Sequence, residues 1–211
     1  MTTVNRAEVK EELRFEALKV AVLRKMTTVP AIAGASGMAL RDAEGAIEEL
    51  AASGDVASVG GHVLPTVAGE TRVRSYADKR YGSLRADPAV ERWYARFESI
   101  NHRFLETVSA WRSVPVGDAK VPNNHSDGDY DTRVISRIGA LVVRMTKLLD
   151  ELSDKVPRMA RYEQRLEAAM EKIDQGDRRF VSDSGVDSTH TVWFEMDEAV
   201  LIVLGKEREE R

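Results

Sequence analysis

Apolar residues recur along most of this chain at the three- and four-residue spacing of amphipathic helices. Val9, Leu13, Ala17, Val20 and Leu23 mark a first helix. It is predicted to begin at Asn5, with Glu8 three residues on in a capping-box arrangement. Thr28 precedes a short second helix, and Pro30 falls in its first turn, where a missing N–H breaks no helical bond. Leu40, Ala43, Ile47 and Leu50 define a third helix that ends near Gly54. The period then changes. "DVASV" and "HVLPT" flank Gly60-Gly61, the pattern of a short two-stranded hairpin. Thr66 opens a further helical segment that runs to about Arg80 and is interrupted at Gly82. Asp87-Pro88 reads as an N-cap followed by a first-turn proline. Behind it Val90, Trp93, Phe97, Ile100, Phe104, Val108 and Trp111 form one unbroken stripe to residue 112. A polar loop follows. Another helix, from about Asp129, carries Val134, Ile138, Leu141, Met145, Leu148 and Leu152. Pro157 starts the next, with Tyr162, Leu166, Ala169 and Ile173 inward and Gly176 as its stop. The last helix is predicted from about Ser188 to Leu204. Its final residues are apolar all round, which implies burial or a subunit contact.

The order helix, helix, helix, strand, tight turn, strand is that of a winged helix-turn-helix. The expected fold is therefore mainly α: a winged helix-turn-helix with a small β-hairpin wing over residues 1–80, then an α-helical bundle over 81–211. The boundary is placed near residues 76–86. Residues 8–70 resemble the winged-helix domain of MarR-type regulators, including the "TVAGE" that follows the hairpin. The resemblance implies a DNA-binding transcriptional regulator whose helical half dimerises and responds to a ligand.

Composition narrows the function. Hydrophobic residues make up 43% and charged residues 31%, as in soluble globular proteins. A net charge of -4 excludes a strongly basic nucleic-acid coat, though a local basic face suffices for DNA binding. With no cysteine, disulfides, thiol catalysis and thiolate metal sites are ruled out. The start "MTTVNRAEVKEELRF" lacks the apolar core of a signal peptide, and no apolar run reaches the roughly 20 residues of a membrane span. The chain is expected to be cytoplasmic, without a membrane partner. No P-loop, G-x-S-x-G or H-E-x-x-H motif is present, so no independent catalysis, catalytic residue or cofactor is expected.

Charge is unevenly placed. The outer face of the third helix holds Arg41, Asp42, Glu44, Gly45, Glu48 and Glu49, one base against four acids. The turn "VGGHV" has no Lys or Arg. DNA affinity rests on phosphate neutralisation, so this face opposes it. Between residues 72 and 103, by contrast, eight bases meet four acids. If double-stranded DNA is a partner, Arg41, Arg72, Arg74, Lys79 and Arg80 are the residues expected to touch it.

The stretch "VPNNHSDGDYD" at 121–131 is the most polar in the chain. Asp127, Asp129 and Asp131 alternate as an EF-hand begins, but Thr132 and Ile138 stand where that loop needs Gly and Glu. His125 with Asp127 or Asp129, joined by His190 and Glu195, would supply metal-ligand chemistry only if the fold gathered them, and no metal site is predicted. Two readings remain: Asp129 or Asp131 capping the next helix with Asn124 and Ser126 satisfying loop backbone, or one wall of a ligand pocket. Trp193 and Phe194 are adjacent in the last helix and so face different ways. The pair "NNHSDGDYD" and "DSTHTVWFEMDEAVLIVLG" resembles two signatures of a group of actinobacterial winged-helix, MarR-like proteins, with Asp197 and Ala199 departing from the pattern. The resemblance extends to segments beside or within phosphoenolpyruvate-utilising phosphotransferases. The candidate ligand site or buried polar network is Asn124, His125, Asp127, Asp129, Asp131, His190, Trp193 and Glu195, with His125 and an aspartate facing His190 or Glu195.

Two functions follow. One is a winged-helix transcriptional regulator, a homodimer that answers to a small anionic ligand. The alternative is a non-catalytic accessory subunit or fusion-derived module associated with a phosphoenolpyruvate-utilising phosphotransferase, its winged helix contacting protein rather than DNA.

Overall fold

The computed structural model describes residues 6–117 and 119–208 and is mainly helical. Contacts divide the chain into two units, Met1–Ala86 with Glu198–Arg211, and Asp87–Asp197. The last residues of the final helix thus belong with the N-terminal elements, whereas the sequence placed all of 81–211 in one domain. No helix among the described residues is long and apolar enough to cross a membrane.

The first unit opens with α1 (Arg6–Arg24), α2 (Val29–Ser36) and α3 (Leu40–Ala52). The expected cap at Asn5 lies outside the described residues. Thr28 caps α2, its hydroxyl accepting from Ala31 N. Strands β1 (Val56–Val59) and β2 (His62–Pro65) pair antiparallel, Val56 opposite Pro65 and Val59 opposite His62. Gly60 and Gly61 both have positive φ, as a two-residue hairpin turn with the strands' own twist requires. Thr27 and Val63 exchange backbone hydrogen bonds of 3.1 and 2.8 Å, which ties the hairpin to the α1–α2 connection.

The core gathers Phe15, Leu18 and Ala21 of α1 with Ile32, Ile47, Leu50, Val56, Val63 and Val73. The face of α1 differs from the one the apolar spacing predicted. Val9 is exposed and Leu13 half-buried, while residues 15–21 are buried on every side. That burial takes in Glu16 and Lys19, which pair at 2.8–2.9 Å, with the ammonium 5.7 Å from the Phe15 ring. A polar pair at a buried i, i+3 position carries no period signal, and its desolvation offsets much of its attraction.

α4 (Val67–Arg85) runs straight through Gly82. A single glycine costs a helix only about 1 kcal/mol relative to Ala, too little to end one that packs along its length. Its start is fixed by Asp55. The Asp55 carboxylate is fully buried and receives Ser53 Oγ at 2.6 Å and Arg72 Nε at 2.7 Å. Its carbonyl accepts from Thr66 N at 3.0 Å, and Thr66 Oγ1 accepts from Gly69 N at 3.1 Å. At the other end, Arg85 donates to the carbonyls of Val203 (2.9 Å) and Ile202 (3.1 Å), in the last turn of the final helix, where carbonyls run out of helical donors.

The second unit contains α5 (Pro88–Arg112), β3 (Ser113–Val116), β4 (Ala119–Pro122), α6 (Gly128–Ser153), a 3-10 turn at Pro157–Met159, α7 (Ala160–Asp174) and the short α8 (Arg179–Ser182). α9 (Thr189–Leu204) begins here. α5 packs along α6, and Trp93 Nε1 donates to Leu148 O at 2.7 Å. The β3–β4 hairpin replaces what the sequence reads as loop. Pro115 and Pro122 hide it, since proline in a run argues against a strand, yet in a two-stranded sheet both strands are edges and tolerate it. In α9, Trp193 is buried and stacks on Phe104 at 3.7 Å, while Phe194 is 45% exposed, so the two adjacent rings do face apart.

A Cβ on Gly69 would run into the Asp55 carbonyl oxygen, a backbone atom that cannot swing away. Gly69→Ala is expected to destabilise the protein by about 1–3 kcal/mol, the range of overpacked sites, read from the urea midpoint. An unchanged midpoint would show that α4 shifts freely against β1.

Candidate functional site

The polar loop is built around Asp131. This residue lies in the first turn of α6, and its side chain is fully buried. A buried carboxylate needs donors, and three side chains supply them. Asn123 Nδ2 donates at 3.0 Å, Arg178 Nη1 at 2.8 Å, and His125 Nδ1 lies 3.1 Å from both oxygens. Arg178 comes from just before α8, so the carboxylate holds three separate stretches of chain together.

The sequence produces this by local bonds. Asn123 N continues the hairpin by donating to Arg112 O. Asn123 Oδ1 accepts from His125 N, and Asn124 Oδ1 accepts from Ser126 N, two consecutive side-chain turns of the kind asparagine favours. Asp127 caps α6 on Tyr130 N. Tyr130 in turn donates its hydroxyl to Ala110 O at 3.0 Å, holding the first turn of α6 to the last turn of α5. His125 has φ of 58°, a left-handed conformation uncommon outside glycine, and the bonds around it hold it there.

The donors fix the histidine tautomer. Asn123 Nδ2 gives its two protons to Trp111 O and Asp131. Its 3.2 Å approach to His125 Nδ1 is therefore two donors meeting over one acceptor, and Nδ1 carries the proton toward Asp131. In the neutral ring that leaves the lone pair on Nε2, which has no hydrogen bond among the described residues. The imidazole rests against Trp111 at 4.3 Å between ring centroids. A carboxylate-oriented imidazole with an open Nε2 can accept a proton or a hydrogen bond. No serine or threonine hydroxyl among the described residues is bonded to it.

The other candidate residues join different groups. His190 Nδ1 accepts from Arg112 Nη2 at 3.3 Å, and that Arg112 nitrogen also donates to Ser182 O. Burial, then the Arg112 charge, holds the His190 pKa below the ordinary histidine value. Glu195 is buried against Arg165 (2.7 Å), whose Nε reaches Asp187 at 3.0 Å. Burial works against the charge on Arg165, but its bonds to Glu195 and Asp187 outweigh that and raise its pKa. Trp193 Nε1 donates to Asn101 Oδ1, and Asn101 Nδ2 donates to Asp197. Asn124, Asp127 and Asp129 are exposed. The two histidines meet consecutive residues of α5: Trp111 lies against His125, and Arg112 bonds His190. Among the described residues no three His, Asp or Glu side chains are grouped to hold a metal ion.

Sequence reasoning missed Asn123, Arg178, Arg165 and Arg112. Asn123 stood inside the quoted stretch and immediately follows the second strand. The arginines had no signal, because an arginine that meets a buried acid across the fold looks like any surface arginine in the chain.

Of the residues proposed for DNA, Arg41, Arg74 and Lys79 are exposed. Arg80 is exposed and lies 5.8 Å from the Tyr81 ring. Arg72 holds Asp55 and so has a structural task.

Removing the buried acceptor leaves three donors facing an empty site. Asp131→Ala is expected to lower stability by about 1–3 kcal/mol. Arg178→Ala should cost under about 1 kcal/mol, because half of that side chain is in water. Chemical denaturation of both variants gives the comparison, and equal losses would refute this ranking. The lowered pKa of His190 also has a sign. Its contribution to stability is complete above the unfolded value near 6.5 and is lost as pH falls through the folded value, because the unfolded chain takes up the proton first. His190→Gln should therefore show a smaller fall in melting temperature from pH 7 to pH 5 than the parent chain, measured by circular dichroism. No family model, no curated protein and no solved structure matches this chain.

Proposed function

We propose that the first unit is a winged helix and that the protein is a non-catalytic, regulator-type binding protein whose winged helix docks on another protein rather than on DNA. The order of α1, α2, α3 and a hairpin bound back to the α1–α2 connection supports the winged-helix reading. The charge of α3 carries the choice of partner. In a winged helix this is the helix that enters the major groove, and its exposed charged side chains are Arg41, Asp42, Glu44 and Glu48. Nearby cations are engaged inside the unit: Lys10 and Arg14 with Glu49, Lys25 with Glu70, Arg72 with Asp55. The hairpin tip, Val59 to His62, offers no Lys or Arg. Exposed Leu40 and Val59 suit a protein surface better than a phosphate backbone. The partner class that the resemblance of the C-terminal signatures suggests is a phosphoenolpyruvate-utilising phosphotransferase.

A second reading keeps DNA. Arg74, Lys79 and Arg80 are exposed on α4, directly after the hairpin, and would serve as phosphate contacts.

Titration of labelled duplexes, one from the upstream region of its own gene and one of random sequence, at several salt concentrations separates the readings. The first expects no affinity beyond the roughly 10⁻⁴–10⁻⁶ M of nonspecific binding, and a gain on both duplexes in Glu44→Lys/Glu48→Lys, which removes like-charge repulsion. Tight binding to the upstream duplex, steeply weakened by salt and lost in Arg74→Ala/Lys79→Ala/Arg80→Ala, would overturn it in favour of the second.

A further inference from the structure

The groove between α1 and α4 is built unlike a closed helix pair. Glu11, Arg14, Phe15 and Leu18 line it from α1, and Arg72, Ser75, Tyr76 and Lys79 from α4, with Leu50 of α3 at its floor. Each helix contributes positions i, i+3, i+4 and i+7, the single face that a helix turns toward its neighbour. In a sealed pair both faces would be apolar. Here only the middle is, and the rim holds three cations, one acid and a hydroxyl. The space left is about 250 Å³, just below the roughly 300 Å³ at which drug-sized sites begin.

The cations are not all matched. Arg14 Nε is enclosed and makes no hydrogen bond, and its partner Glu49 stands 3.7 Å away. Arg72 engages Asp55 through Nε, which leaves its two terminal nitrogens. Lys79 is exposed and has no ion-pair partner among the described residues. Glu11 is the one carboxylate on the rim. The apolar floor also discriminates. Phe15 and Tyr76 stack on each other at 4.1 Å, so the face that each turns to the other is taken, and Leu18 and Leu50 line the groove beside them. Leucine methyls and rings already paired with each other suit a flexible aliphatic chain.

We propose that this groove is a binding site for a short-chain acyl carboxylate, its chain on Phe15, Leu18, Leu50 and Tyr76 and its carboxylate among Arg14, Arg72 and Lys79. The inference does not depend on what the winged helix docks on. It has a consequence for α3, because a bound carboxylate competes with Glu49 for Arg14.

The test uses hexanoate and its uncharged isostere hexanamide on the full chain, by calorimetric titration and by amide chemical shifts. The expected result is saturable hexanoate binding with shifts centred on residues 11–18 and 72–79, and affinity for hexanamide lower by about tenfold or more, since the charge is what the rim recognises. Lys79→Ala, a change at an exposed position, should weaken hexanoate by about five- to tenfold with the melting temperature preserved. Ser75→Trp should fill the groove and abolish binding. Absence of saturable binding overturns the proposal. So does equal affinity for the two probes, or full hexanoate affinity in a folded Ser75→Trp.

Discussion

A carboxylate removed from water must find donors, and each unit is organised around one that has. In the first unit Asp55 sits where α3 gives way to β1. Its side chain holds Ser53 and Arg72, and its carbonyl receives Thr66 at the start of α4. One residue thus sets where α3 ends, where the hairpin begins and how α4 enters. In the second unit Asp131 gathers the loop through Asn123 and His125 and the short α8 through Arg178. The apolar core supplies most of the driving force for folding, but it is indifferent to small slides of one helix along another. The aspartates are not, because hydrogen bonds are lost over fractions of an ångström.

The same arithmetic governs the surface. A net charge of -4 suggests a chain with acid to spare, yet the charges that matter for function are the ones without a partner. Lys10, Lys25 and Arg72 are taken up inside the first unit. The exposed acids of α3 are left facing outward, and Lys79 is left at the edge of the α1–α4 groove. Counting bases along the sequence assigns Arg72 to DNA, whereas in the fold its Nε is held by the buried carboxylate of Asp55.

Much of the architecture was legible because helices and hairpins announce themselves by period. The stripe from Val90 to Trp111, the Asp87-Pro88 start and the Gly60-Gly61 turn needed only local rules. The misses share a cause. The β3–β4 hairpin has prolines that only an edge tolerates, the buried Glu16–Lys19 pair sits on a helix enclosed all round, and α4 passes Gly82 because tertiary contact outweighs a small propensity. In the polar loop the sequence identified the residues but set the helix cap at Asp129 or Asp131, whereas Asp127 caps α6 and Asp131 turns inward. It did not pair His125 with Asp131, six positions away on the far side of a turn, and it set His190 and Glu195 beside that pair, whereas their bonds run to Arg112 and Arg165. Such pairings are decided by where chain segments meet.

The three tryptophans give the second unit a built-in optical gauge. Trp93 and Trp193 are sealed, with their indole N–H groups bonded to Leu148 and Asn101. Trp111 is also buried, but part of what shields it is the His125 ring, itself held by a strained backbone and a few side-chain bonds. Any event that lifts the loop bares that one indole and leaves the other two dark to it. Emission wavelength therefore tracks the loop in a protein that needs no added label, with the two buried indoles as the internal reference.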